Sequence, residues 1–433
     1  MSKFSCPVVR VASVEEHPNA DRLSLVRLEG LGYLCIANKR EDGSPRYRPG
    51  DFVVYIPSAS VLPEWLLKEM GFWNEETGKG MLAGSGGDRV KPLKLRGIFS
   101  EGVLFPATVK VVDSTEMMPE GYFRRYWQIG LGESSSKLVL RVLRVNDVAD
   151  IVGHDVSTDL GITKWEPPIP VAMAGEVASV AEAALTYDFE RWESVPDIFA
   201  PDEIVVATEK VHGTCCIIQY FPDMDHPEMF PDHAGYRSIT VSSKGLGSQG
   251  LVFKNNEVNS NNLYVRTLRK LFAEYDLGQL MHAMSKVDGG ARPVAILGEI
   301  FGKGVQDLDY GVPEQAFRVF DMRIGREWLS PYAVSYWSSR AWVEPDAVSY
   351  GYQALPCVPV LYTGPFDRDA IEAVRDGGTT LSGTPSRIDI REGVVVRSMI
   401  PSEHPLHGRR IAKFISPAYL LRRVKNGEAT EYQ

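Results

Sequence analysis

The apolar run EIVVATE (203–209) delivers Lys210 to a turn that holds His212 and Gly213. A lysine amine is a nucleophile only when it is partly deprotonated, which burial or neighbouring cations can bring about. Most lysines are solvated surface charges, so Lys210 alone decides nothing. Three further charges break apolar runs downstream: Glu299 in LGEIFG, Glu392 at the head of EGVVVR, and Lys413 in IAKF. A buried charge is costly unless it is paired or bound to a ligand. Lys244 in SSKG and Phe320 in FRVFD lie in the same order. One such break reads as a structural salt bridge. Several in one order on successive strands are hard to dismiss as separate structural pairs.

The elements that must position these residues are set by the apolar pattern. Residues 5 to about 150 alternate in short runs broken by turn residues, such as DFVVYIP after the turn Arg48-Pro49-Gly50-Asp51. Five or so strands in that length fit a small closed barrel. PEWLLKEMGFW predicts a short amphipathic helix among them. Pro167, Pro168 and Pro170 mark a junction, and EVASVAEAALTYDF after it predicts a helix. From Asp202 onward the pattern is α+β. Leu268, Leu271, Phe272 and Tyr275 have helical spacing, and a helix capped by Asp367 runs towards a glycine. The expected division is 1–150 for an N-terminal OB-fold-like domain, 151–185 for a linker and 186–433 for the domain that carries the chemistry.

The chain has 433 residues, 44% apolar and 24% charged, enough for more than one packed domain and incompatible with disorder as the main state. Five scattered cysteines without CxxC spacing exclude a zinc ribbon or a disulfide scaffold and fit a reducing, cytoplasmic setting. No run approaches the length of a membrane span, so no membrane partner is expected. The net charge of −9 argues against a general nucleic-acid coat. Local fields differ from the sum. Arg89, Lys91, Lys94 and Arg96 crowd one stretch without an acid, and six cations lie between Arg409 and Lys425. A phosphate-facing groove on an acidic body is expected.

The order KVHG, SSKG, LGEIFG, FRVFD, EGVVVR and IAKF resembles motifs I, Ia, III, IIIa, IV and V of the covalent nucleotidyltransferase superfamily of ligases and capping enzymes. His212, where DNA ligases and capping enzymes have aspartate, is similar to the T4 RNA ligase 2 type. HPNADRLSLVRL, RPGDFVVYIP, KLRGIFSEGVLFP and LGITKWEPPIP extend the resemblance to ATP-dependent RNA ligases of the Deinococcus type, which carry an N-terminal OB-fold domain. The fold this implies is an α+β nucleotidyltransferase domain, the ATP-grasp-like adenylation domain of ligases, preceded by an all-β OB-fold-like domain. The activity it implies is sealing of 3′-OH/5′-phosphate breaks with ATP and Mg²⁺ or Mn²⁺. The partner it implies is an RNA-containing duplex or nicked nucleic acid.

The resemblance also implies roles. Lys210 becomes covalently adenylylated, and Lys413 holds the α-phosphate and lowers the Lys210 pKa. Glu209, Val211 and Gly213 line the nucleotide beside it. Glu299 accepts from the ribose hydroxyls, Glu392 and Glu299 serve the metal, and Phe320 stacks on adenine. His212 orients the leaving pyrophosphate, and Lys244 meets the triphosphate or the 5′-phosphate. Arg89, Lys91, Lys94 and Arg96 meet the polynucleotide. Related ligases often carry a second lysine in motif V where this chain has Ile415, and Arg409 or Arg410 are candidates to compensate. Two rivals remain. One is a non-catalytic RNA-binding protein with a degenerate ligase domain, against which Lys210, Glu299 and Glu392 argue. The other is a related nucleotidyltransferase, a capping-type enzyme or a DNA ligase, against which His212 argues. The GLGSQG run (245–250) matches GxGxxG, but LVFKNNEVNSNN after it does not open a helix of a βαβ unit.

Overall fold

A computed structural model describes residues 4–117, 123–132, 138–142, 151–165, 171–340, 354–381 and 390–422. Pro167, Pro168 and Pro170, and Arg423 and Lys425, lie outside them. The chain divides at residues 166/167 into two compact units, with Glu193–Pro196 belonging to the first. The expected linker over 151–185 is absent among the described residues. Ile151, Val156, Leu160 and Ile162 are buried in the core of the first unit. Residues 177–179 pair with 251–253 in the second. The helix expected over 176–189 is therefore a short strand followed by a single 3₁₀ turn. Cross-strand pairing outweighs the helix propensity of an Ala/Glu-rich run.

The first unit is an antiparallel sheet of seven strands: β1 (Val8–Glu16), β2 (Leu23–Leu28), β3 (Leu34–Asn38), β4 (Phe52–Ile56), β5 (Val103–Met117), β6 (Phe123–Leu131) and β7 (Leu138–Val142). Their order is β7-β6-β5-β4-β1-β2-β3. β1 pairs with β4 through residues 8–10 and with β2 from Val11 onward, with a register shift between Val11 and Ser13. A bulge of this kind bends a strand enough to serve two sides of a barrel. Closure comes from the other end: Glu101 N–H donates to Leu34 O (3.0 Å) and Ile36 N–H to Ser100 Oγ (2.9 Å). Helix α1 (Glu64–Glu69) buries Leu66 and Leu67.

The second unit holds two antiparallel sheets. One runs β13-β8-β14-β15, built from β8 (Ile204–Lys210), β13 (Val360–Pro365), β14 (Gly393–Ser398) and β15 (Ile411–Ile415). The other has six strands, whose long members run β10-β9-β11-β12: β9 (Thr214–Tyr220), β10 (Arg237–Ser243), β11 (Val294–Phe301) and β12 (Ala316–Ile324). Helices α2 (Leu263–Tyr275) and α3 (Leu277–Ser285) bury Leu268, Leu271, Leu280 and Met281 against this sheet. The helical pattern read as one run is thus two helices, broken at Asp276 (φ +26°). Asn262 caps α2 by accepting from Tyr264 N–H (2.9 Å), and Asp367 caps α4 (Arg368–Arg375). Among the described residues no helix is long and apolar enough to cross a membrane.

Candidate active site

A pocket in the second unit is lined by Lys210, Val211, Cys215, Lys244, Glu299, Phe320, Arg397 and Lys413, with Tyr187 and Asp188 at its side. The residues expected from six separate segments thus converge. A second cleft, between α2 and residues 314–318, contains none of the candidate site residues and meets the motifs only at Phe317 and Arg318.

Strand register explains the convergence. β8 and β14 are antiparallel with Lys210 opposite Gly393, so Glu392 lies beside the lysine. Lys210 Nζ donates to Glu392 Oε1 at 2.5 Å. β15 pairs with β14 on the other side, with Lys413 opposite Val395. β9 and β11 pair Cys215 with Glu299. Two glycines allow these approaches. A Cβ on Gly213 would lie 2.1 Å from Ile300 O, and one on Gly393 (φ +152°) 2.1 Å from Phe414 O.

Phe320 reaches the pocket through a bulge. In the β11–β12 pairing Leu297 faces Asp321 and Gly298 faces Val319, which leaves Phe320 as the extra residue. Before it Phe317 and Val319 face the core; after it Met322 and Ile324 do, so the alternation slips by one. Tyr187 stacks on the Phe320 ring at 5.3 Å.

Behind Phe320 lies a cluster that the motif pattern does not reveal. Asp321 is fully buried and accepts from Arg397 Nη1 (3.0 Å), Arg409 Nη1 (2.6 Å) and Tyr187 O–H (2.9 Å). Burial and the Asp321 charge together push the Tyr187 hydroxyl well up. Asp321→Ala strands two buried guanidiniums, which costs about 3–5 kcal/mol. The expected result is a melting temperature lower by about 10 °C, read by calorimetry. An unchanged melting temperature contradicts this role for the cluster.

The electrostatics differ between the two carboxylates. Burial pushes the Glu299 carboxyl up to about 8, against the pull of Lys210 and with the push of Glu392. Glu299 is therefore largely protonated near neutral pH until a cation is added beside it. Glu392 Oε2 is buried and accepts no hydrogen bond. An orphaned carboxylate oxygen next to a second carboxyl group fits a divalent cation with oxygen ligands.

Several expected site residues have protein partners of their own. Glu209 lines the pocket, and its carboxylate accepts from Thr379 Oγ1 (2.5 Å), Thr380 N–H (2.9 Å) and Thr380 Oγ1 (2.5 Å). His212 is buried, and its side-chain nitrogens already have partners. Its Nε2 lies 2.7 Å from Asp307 Oδ1, its Nδ1 lies 2.8 Å from Tyr419 O–H, and its backbone N–H donates to Tyr310 O–H. These contacts tie down the turn after Lys210. Lys244 is paired with Asp188 (2.9 Å). Ile415 is buried in a core with Val211 and Tyr419. Arg409 and Arg410 are engaged by Asp321 and Glu203 and do not replace the second motif V lysine. Arg89 is buried with its guanidinium 4.1 Å from the Trp165 ring centroid, unlike exposed Lys91, Lys94 and Arg96. Lys94 sits on a separate hairpin of Leu93–Leu95 and Ile98–Ser100, outside the seven-stranded sheet.

Asp307 carries a testable consequence. Burial pushes its carboxyl up, but hydrogen bonds from His212 and Arg422 outweigh this and hold it well below the usual range. A depressed carboxyl stabilises the fold above the ordinary carboxylate range, and the contribution is lost as pH falls through it. Asp307→Asn is expected to cost about 2 kcal/mol at neutral pH and nothing in strong acid. Urea unfolding of both proteins across pH reads this. A difference that does not shrink in acid contradicts it.

Among known families, the RNA ligase model matches residues 203–415 and an OB-fold domain model matches residues 6–107. The matched segment follows an N-terminal OB-fold, the fold expected from the resemblance. Solved structures of a Naegleria gruberi RNA ligase share the fold. The form with pyrophosphate is 19% identical, covers 97% of this chain and 98% of that one, and has a TM-score of 0.63. A lysine-to-alanine form with ATP and Mn is 20% identical, with 96% and 98% covered and the same TM-score. A glutamate-to-alanine form with AMP and Mn is 19% identical over the same shares, again at 0.63. No curated protein matches the chain.

Proposed function

We propose that this chain is an ATP-dependent RNA ligase of the Deinococcus type that seals 3′-OH/5′-phosphate breaks through lysyl-AMP. The observation that carries this reading is the 2.5 Å pair of Lys210 and Glu392 beside a pocket that also holds Lys244, Lys413, Glu299 and Phe320. Lys210 Nζ attacks the α-phosphorus of ATP; a P–N bond forms, a P–O bond breaks and pyrophosphate leaves. The proton that Nζ gives up lies on the hydrogen bond to Glu392 Oε1. A 5′-phosphate oxygen then takes AMP from Nζ, which regains a proton. The 3′-hydroxyl finally attacks that 5′-phosphorus and releases AMP.

Each neighbour has a task in these steps. Lys413 and Lys244 neutralise phosphate charge, and Phe320, backed by Tyr187, stacks on adenine. Glu299 meets the ribose hydroxyls. Glu392 and Glu299 would hold Mg²⁺ or Mn²⁺, which supplies further charge neutralisation at the phosphates. Lys91, Lys94 and Arg96 on the first unit offer cations to the nucleic-acid backbone.

The proposed substrate is a nicked duplex with RNA on the 3′-OH side. Ribonucleotides there favour A-form geometry, which fixes the 3′-hydroxyl for in-line attack. The 5′-phosphate strand needs only its phosphate held. A nick ending in a 3′-ribonucleotide is expected to seal at least about tenfold faster than the same nick ending in a deoxynucleotide. Gel separation of the products with ATP and Mg²⁺ reads this, and equal rates would point to a general polynucleotide ligase. α-Labelled nucleotides separate the rivals: label from ATP marks a ligase, label from GTP a capping-type enzyme, and no label a non-catalytic RNA-binding protein.

A further inference from the structure

A cluster outside the pocket has metal-ligating chemistry. Among the described residues, Asp197, His404 and His407 bring one carboxylate and two imidazoles together, each pair of ligand atoms within 4.8 Å. His404 and His407 flank a tight hairpin of Glu403–His404 and Gly408–Arg409. Their rings lie nearly parallel, 13° apart, with centroids separated by 4.6 Å. Asp197 comes from the segment before β8, so the three side chains join parts of the second unit that are remote in sequence.

We propose that Asp197, His404 and His407 form a binding site for a borderline transition-metal dication of the Zn²⁺ type. Imidazole with a carboxylate suits Zn²⁺, Co²⁺ or Ni²⁺ better than Mg²⁺. Ligand atoms around a tetrahedral zinc at about 2.0–2.1 Å lie roughly 3.4 Å apart. The present separations fall on either side of that value. His407 Nε2 is 2.9 Å from Asp197 Oδ1 and His404 Nε2 is 3.9 Å from Asp197 Oδ2. The two contacts end on different Asp197 oxygens, so a single-oxygen ligand requires the Asp197 carboxylate to turn. Asp197 is 63% exposed, which leaves it free to move and an open position for water.

The metal-free chain supplies competing hydrogen bonds, and both are of a kind that a dication displaces. His407 donates to Asp197, and Leu406 N–H donates to His404 Nδ1 at 3.2 Å. Binding through Nε2 moves each ring proton to Nδ1 and gives up the Leu406 contact, a single bond in an exposed turn. The hairpin joins β14 to β15, the strands that carry Arg397 and Lys413; its last residue is Arg409, and Arg410 follows. A metal there braces the connection that supplies Arg409 to Asp321. The site is separate from the ligase chemistry and does not depend on it.

Co²⁺ tests this directly in the full chain, because its visible absorption reports ligand type. The chain is stripped with chelator, kept in excess Mg²⁺ to fill oxygen-lined positions, and titrated with Co²⁺. The expected result is one Co²⁺ per chain with an imidazole/carboxylate spectrum, displaced by Zn²⁺. His404→Ala/His407→Ala is expected to abolish that spectrum, and Asp197→Asn to weaken binding by at least about tenfold. Adenylylation should be unchanged in these variants, which shows that they fold. An absence of Co²⁺ binding, thiolate charge-transfer bands, or an equal spectrum in the double variant would each overturn the site.

Discussion

Lys210→Ala is expected to lose enzyme–nucleotide formation by at least about 10³-fold, because no other group can form the P–N bond at that place. The pocket contains two other lysines, but Lys244 is committed to Asp188 and Lys413 lies on β15, in register with Val395. Removing Lys210 also leaves the buried Glu392 carboxylate without its 2.5 Å partner. The alanine variant therefore loses some stability for a reason unrelated to chemistry. Lys210→Arg separates the two effects. Arginine keeps the charge beside Glu392 and cannot act as the nucleophile, so it should melt near the wild type and still form no adduct. Gel autoradiography with α-labelled ATP reads the loss, and adduct formation by either variant contradicts the assignment.

Glu392→Ala is expected to slow sealing by about 10²–10³-fold. Glu392 has two distinct edges. Oε1 receives the Lys210 proton, and Oε2 is buried without a hydrogen bond. The first keeps the lysine aimed, and the second is open to a cation. Glu392→Gln preserves shape and can still meet Lys210, but it cannot neutralise a dication. It should stay near the alanine variant in rate and near the wild type in melting temperature. A glutamine variant with wild-type rates would assign Glu392 to folding alone. Steady-state sealing at saturating ATP, with Mg²⁺ titrated, distinguishes these outcomes.

The parts legible in the sequence are those that local pattern encodes. A charge inside an apolar strand is visible without a structure, and Lys210, Glu299, Glu392 and Lys413 do meet around one pocket and its rim. The bulge at Phe320 is not visible, because FRVFD reads as an ordinary strand until its partner's register is known. The groups around His212 come from Asp307 and Tyr419, 95 and 207 residues away, and no spacing rule connects them. Arg89 reads as one cation in a basic stretch, yet Trp165 draws it inward. The helix expected after the prolines does not form, for a related reason. Its composition favours a helix, but strand 251–253 offers backbone partners that composition cannot reveal.

The most direct test of a covalent ligase is the position of the adduct. The full chain is incubated with ATP and Mg²⁺, digested under conditions that spare an acid-labile P–N bond, and mapped by mass spectrometry. One AMP per chain is expected, carried on Lys210 and discharged when a 5′-phosphorylated strand is added. AMP on another lysine, or no adduct with ATP, would contradict the proposed function.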